Sequence, residues 1–209
     1  MDRTVIQKII TIFKDRGFVD AFSIVSAMVL ALFRGVLRGY PGVLIGSNVT
    51  LRSRGKLRIG FMTRIESFVE LDAYGSHGIN IGRYCKIGKY SILRVPGTPD
   101  ISGAGIFVGD RTTFAEFCFV GGAGMVSVGT ENSIGQYVSI HPQNHLSSDK
   151  SSKTHQIGVS IGNNNWVGAK VTILDGVTLE NQNTIGATSV LTKSFDSGNI
   201  IVGIPARLR

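Results

Sequence analysis

Two of the four histidines in this chain sit in one short run, Ser139-Ile140-His141-Pro142-Gln143-Asn144-His145. An imidazole titrates near neutral pH and can take a proton from a hydroxyl, so His141 and His145 are candidate general bases. A histidine in a loop is more often a plain surface residue, so the surroundings have to decide. The two cysteines, Cys85 and Cys118, are too few for a disulfide framework and fit a reducing compartment.

The element that must hold the histidines is written in the apolar spacing. From Ile161 to Leu191 an apolar residue falls on every sixth position: Ile161, Val167, Ile173, Leu179, Ile185, Leu191. A strand needs period 2 and a helix period 3.6, so neither explains this pattern. A fixed period of six predicts an all-β solenoid, a parallel β-helix in which each hexapeptide repeat forms one side and a turn. Gly162, Gly168 and Gly186 each follow an apolar partner, and the expectation is that they supply positive φ at the corners. Upstream, the same ruler recurs in Val128-Ile134-Ile140, Val108-Phe114-Val120, Ile81-Ile87-Leu93, Ile59-Ile65-Leu71 and Ile45-Leu51-Leu57. Two positions before an inward residue, Thr63, Cys85, Thr112 and Cys118 are small enough to fill a narrow core. The phase resets between pieces, as loops bulging from a solenoid require. The widest interruption, at about 141–160, is where His141 and His145 lie. The solenoid therefore spans 41–209.

Residues 1–40 follow other rules and form an expected N-terminal helical extension. Val5, Ile6, Ile9, Ile10 and Phe13 share one helical face, and Gly17 is expected to break the pattern. A second segment is apolar nearly all round, with 13 uncharged residues between Asp20 and Arg34. That is short for a spanning helix, which takes roughly 20 residues. Residues 1–60 hold ten Lys and Arg against three acids, seven of the eight net positive charges. Two readings follow: an in-plane contact with anionic headgroups, or packing on the coil or a neighbouring subunit. Nucleic acid is not expected as a partner, because no aromatics interleave the arginines and no binding motif occurs. No signal-peptide succession is evident, so the expected location is cytoplasmic, peripheral at the inner face of the cytoplasmic membrane if the helices meet lipid.

The run IGNNNWVGAKVTILDGVTLENQNTIGATSVLTKSF, followed by VGIPARLR, resembles the left-handed β-helix, hexapeptide-repeat acyltransferases that use acetyl-CoA. Within that family it is most similar to the O-acetyltransferases of bacterial capsule, O-antigen and exopolysaccharide synthesis. The resemblance covers about residues 45–209 and is specific from Ile134 onward. It implies a left-handed coil, a homotrimer with sites between subunits, acetyl-CoA as co-substrate and a saccharide acceptor. It also implies one catalytic histidine, eleven residues after Ile134 and directly after an asparagine, which is His145. His141 and Asn144 then become acceptor contacts. So does Glu116, where relatives often have asparagine one residue earlier, at the position of Ala115; the alternative for Glu116 is a solvated carboxylate. The implied donor contacts are Trp166, Ala187, the Thr192-Lys193 pair, Arg207, and Ala169, where some relatives have serine. A backbone N–H at Gly168 or Ala169 would hold the oxyanion.

Three other classes stay in view. An N-acetyltransferase of nucleotide-linked amino sugars would share the coil, but those relatives carry an N-terminal nucleotide-binding domain that is not visible here. A γ-class carbonic anhydrase needs three zinc-binding histidines. His141 and His145 are four apart where that class uses five, and His77 and His155 are out of register, so no metal is expected. A non-catalytic scaffold would not require Trp166, Thr192, Lys193 and Arg207 together.

Overall fold

The computed structural model describes residues 3–96, 103–145 and 154–209. One helix, α1 (Arg3–Leu37), leads into a three-faced parallel β-helix whose first strand is Leu44–Ile45. Within each face the strands stack in parallel, one per turn, and the antiparallel strand Ala206–Leu208 caps the first face.

The six-residue ruler becomes three columns. Ile45, Ile65, Ile87, Phe114, Ile134, Val167, Ile185 and Ile201 stack on the first face. Leu51, Leu71, Leu93, Val120, Ile140, Ile173 and Leu191 stack on the second. Ile59, Ile81, Val108, Val128, Ile161 and Leu179 stack on the third. All are buried except Leu51 and Ile59 near the N-terminal end, which are partly so. The third face carries a second inward row, Leu57, Ile79, Ile106, Val126 and Val159, which the six-residue spacing does not reveal.

The corners differ from expectation. The phased glycines do not carry positive φ; that burden falls two residues later, on Asn164 after Gly162, Lys170 after Gly168 and Thr188 after Gly186. The glycines are needed for close approach instead. A Cβ on Gly168 would lie 2.6 Å from the Ala187 backbone nitrogen of the next coil. At the first corner the positive-φ residues include Phe68, Tyr90, Phe117 and Tyr137, whose rings stack nearly parallel with centroids 4.9, 5.0 and 4.9 Å apart. The coil rise of about 4.8 Å sets that spacing.

The small fillers Thr63, Cys85, Thr112 and Cys118 are all buried. Thr63 and Thr112 begin a polar ladder inside the corner between the third and first faces. The Thr112 hydroxyl accepts the Asn132 N–H, Asn132 Oδ1 accepts the Asn165 N–H at 2.9 Å, and Asn165 Oδ1 accepts the Asn183 N–H at 2.8 Å. Burial pushes the Cys118 thiol up to about 11 and raises Cys85 as well, so both stay protonated near neutral pH.

The N-terminal segment is one continuous helix, and Gly17 does not break it. An interior glycine costs a helix only about 1 kcal/mol, too little to end 35 residues of ladder. The amphipathic face expected at Val5–Phe13 lies outside the described side chains. Val19–Leu37 is long and apolar enough to cross a membrane by length and composition, and only 11% of it is buried. The 13 uncharged residues understate this stretch, because Asp20 and Arg34 stand near its ends, where charged heads can reach an interface. The helix closes on the coil at Gly35, where any Cβ would collide with the Val43 carbonyl oxygen.

Candidate functional site

Two groups of the candidate residues form, on different edges of the coil. The first lies on the first face and its corner with the second. Trp166 begins the strand Trp166–Val167, whose alternation buries Val167 and leaves the indole 63% exposed between Ser133 and Thr184 on adjacent coils. The chain then turns through Gly168 and Ala169. The Gly168 N–H is spent on the Ile185 carbonyl at 2.8 Å, so it is not a free oxyanion donor. The Ala169 N–H has no partner among the described residues, and its carbonyl accepts from Thr188. Ala187 stands one coil on, directly above Ala169 and exposed. Of the two backbone donors expected from the sequence, Ala169 is therefore the available one.

Glu116 sits on this same corner, two coils toward the N-terminus from Ala169. Its carboxylate is 3.6 Å from the Lys86 ammonium, which also lies 3.5 Å from Glu66. A hydrogen bond from its own backbone N–H holds the Glu116 carboxyl below its ordinary value; partial burial opposes this and the Lys86 charge adds to it. Glu116 is thus an ion-paired carboxylate.

The second group lies where the second face turns toward the third. His141 ends the strand Ser139–His141, opposite Leu174, and its ring tilts against Phe119 at 5.4 Å. Partial burial lowers its pKa, which keeps the imidazole neutral near pH 7. Beyond it the chain leaves the coil as a hairpin rather than a plain loop. Asn144–His145 pairs antiparallel with Thr154–His155, Asn144 opposite His155 and His145 opposite Thr154. Residues 146–153 and the His145 side chain lie outside what is described. Thr192 and Lys193 follow the second-face strand Val190–Leu191 two coils further on, both exposed, with the Lys193 ammonium 5.5 Å from the Phe195 ring centroid. Arg207 lies beyond the first face on the capping strand, opposite Val202.

Asp175 is a residue the sequence reading missed. Its carboxylate accepts the Gly158 N–H at 2.7 Å and the Ile157 N–H at 3.3 Å, which ties down the returning arm of the hairpin. Nothing local in the sequence marks it, because it meets the break only across coils, 17 and 18 residues from Gly158 and Ile157. Departure is held too: the Gly124 N–H donates to the Pro142 carbonyl at 3.1 Å. In one chain the whole second face separates the histidine hairpin from Trp166 and Ala169.

The family model for the bacterial transferase hexapeptide (six repeats) matches residues 158–193. Galactoside O-acetyltransferase of Escherichia coli (strain K12) is 35% identical over 71 residues, 34% of this chain and 34% of that protein. The protein of the same strain named as a lipopolysaccharide biosynthesis O-acetyl transferase, WbbJ, is 30% identical over 115 residues, 49% of this chain and 59% of that protein. The chain thus spans between one third and three fifths of the length of these two relatives. The hexapeptide-repeat acetyltransferase from Vibrio cholerae O1 biovar eltor, solved with acetyl-CoA, superposes with a TM-score of 0.51 at 20% identity, over 59% of this chain and 66% of that one. That likeness gives the fold, a left-handed parallel β-helix preceded here by a helix. Over part of its length the chain is thus similar to hexapeptide-repeat acetyltransferases, with the repeat itself matched at residues 158–193.

Proposed function

We propose that this protein is an acetyl-CoA-dependent O-acetyltransferase acting on a sugar hydroxyl of a bacterial surface polysaccharide or its lipid-linked precursor. The observation that carries this reading is the pairing of the repeat match at 158–193 with an exposed Trp166 beside the free Ala169 N–H. His145 takes the proton of the attacking hydroxyl, whose oxygen adds to the thioester carbonyl. The Ala169 N–H donates to the oxyanion. The C–S bond then breaks, the acetyl ester forms and the imidazolium returns its proton to the thiolate. Trp166 and Ala187 flank the pantetheine arm; Thr192, Lys193 and Arg207 face the phosphates, where cationic donors make the stronger hydrogen bonds. Neutral His141 and Asn144 orient the acceptor.

The separation of the two groups supports a site shared between copies, His145 with Thr192 and Lys193 from one subunit and Trp166 with Ala169 from its neighbour. A homotrimer closes such contacts around a three-fold axis. The expected result for His145→Ala is a loss of roughly 10²- to 10⁴-fold in acetyl transfer, with acetyl-CoA binding kept in calorimetry. Full activity in His145→Ala with a dead His141→Ala would reassign the base. The exposed apolar length of α1 supports contact with the cytoplasmic membrane from its inner face; full-length protein that stays soluble in liposome flotation would sink that part.

A further inference from the structure

The inner side of α1 does not seat fully on the coil. Between them lies a cleft of ≈ 400 Å³. Its helix side is apolar at Ile24, Met28 and Ala31 and ends in Arg34, and its coil side carries Arg64 and Lys89. None of these three cations makes a hydrogen bond or ion pair among the described residues. Arg52, Arg83, Arg94 and Arg111, by contrast, each meet a carboxylate. Glu66 is the one acid among the cleft's lining residues, set against three cations there, and it shares Lys86, 3.5 Å away, with Glu116. Three cations unpaired among the described residues, lining one cleft beside an apolar helix stripe, are complementary to a phosphate carried on a hydrocarbon chain. The wall continues onto outward residues of α1 such as Phe22, Val29 and Phe33, all exposed.

We propose that this cleft binds the headgroup of an anionic phospholipid, the phosphate among Arg34, Arg64 and Lys89 and the chains running out along α1. The inference rests on α1 meeting a bilayer and adds a stereospecific seat to that contact. Lys89 and Ala169 occupy the same corner, three coil steps or about 14 Å apart, so the seated lipid lies beside the proposed acetyl-transfer groove.

The test is calorimetric titration of the full-length protein with dihexanoyl phosphatidic acid below its micelle concentration. One saturable site per chain is expected, with inorganic phosphate and dihexanoyl phosphatidylcholine each binding at least about tenfold more weakly. The triple variant R34Q/R64Q/K89Q is expected to lose about tenfold or more in affinity. Ala31→Trp, which fills the cleft without changing charge, should do the same. R54Q/K56Q/R58Q removes equal charge elsewhere and should bind as wild type. Equal loss in that control, or inorganic phosphate binding as tightly as the lipid, would overturn the proposal. So would an absent lipid site together with Ala31→Cys cross-linking between copies, which would make the occupant a second chain. Vesicle flotation of the same proteins separates the two readings: flotation without a saturable lipid site overturns the cleft alone, and loss of flotation in wild type overturns the bilayer contact beneath it.

Discussion

Asn165 shows what one buried side chain does in a coil this thin. Its Oδ1 accepts the Asn183 N–H, and its own N–H is taken by Asn132. Asn165→Ala keeps the second bond but strands the Asn183 donor where water does not reach. The expected cost is about 1–3 kcal/mol, read as a lower urea midpoint with an unchanged m-value. Gly168 is constrained differently. Its φ is ordinary, and the demand for glycine comes from the backbone of the next coil 2.6 Å from any Cβ. The spacing marks glycine at that position but cannot tell a bend from a close approach.

Corners and the hairpin belong to the scale of the element. Fourteen non-glycine residues hold positive φ among those described, and Thr188 is the β-branched one. A β-branched side chain suits that region worst, and asparagine tolerates it. Thr188→Asn is expected to stabilise the coil by about 1 kcal/mol, seen as a raised Tm. Asp175 holds the hairpin through two backbone N–H groups, so it acts as a positioning residue for the histidine arm. Asp175→Ala should lower kcat for acetyl transfer about tenfold, with the KM for acetyl-CoA unchanged. Asp175→Asn, which keeps one acceptor oxygen, should recover part of the loss; a purely structural role would lower Tm and leave kcat per folded molecule intact.

For the whole molecule the question is which copy supplies which residue. His145 and Trp166 lie on edges separated by the second face of one chain. If the proposed site spans two copies, inactive His145→Ala and inactive Trp166→Ala should complement when refolded together. Random assortment in a trimer leaves about one quarter of the interfaces with both native residues, so about a quarter of the wild-type rate is expected. No recovery from verified mixed trimers would place both residues in one subunit's site.

The chain declares its coil locally. Each hexad needs one inward apolar residue, whatever its neighbours do, so Ile161 to Leu191 alone reveals the architecture, and the columns follow from stacking. The choice of His145 came from the family resemblance, which sets the base eleven residues after Ile134, and His145→Ala tests it. Contacts between coils are another matter, since they join positions 16 to 33 residues apart whose spacing varies with each insertion. The Asp175 anchor, the pairing of Lys86 with Glu66 and Glu116, the spent N–H of Gly168 and the transfer of positive φ to Lys170 and Thr188 all depend on that vertical register. The cleft beneath α1 depends on it too. Whether Arg34, Arg64 and Lys89 meet one another is a matter of how a helix leans on three coils, and no local pattern of residues encodes that angle.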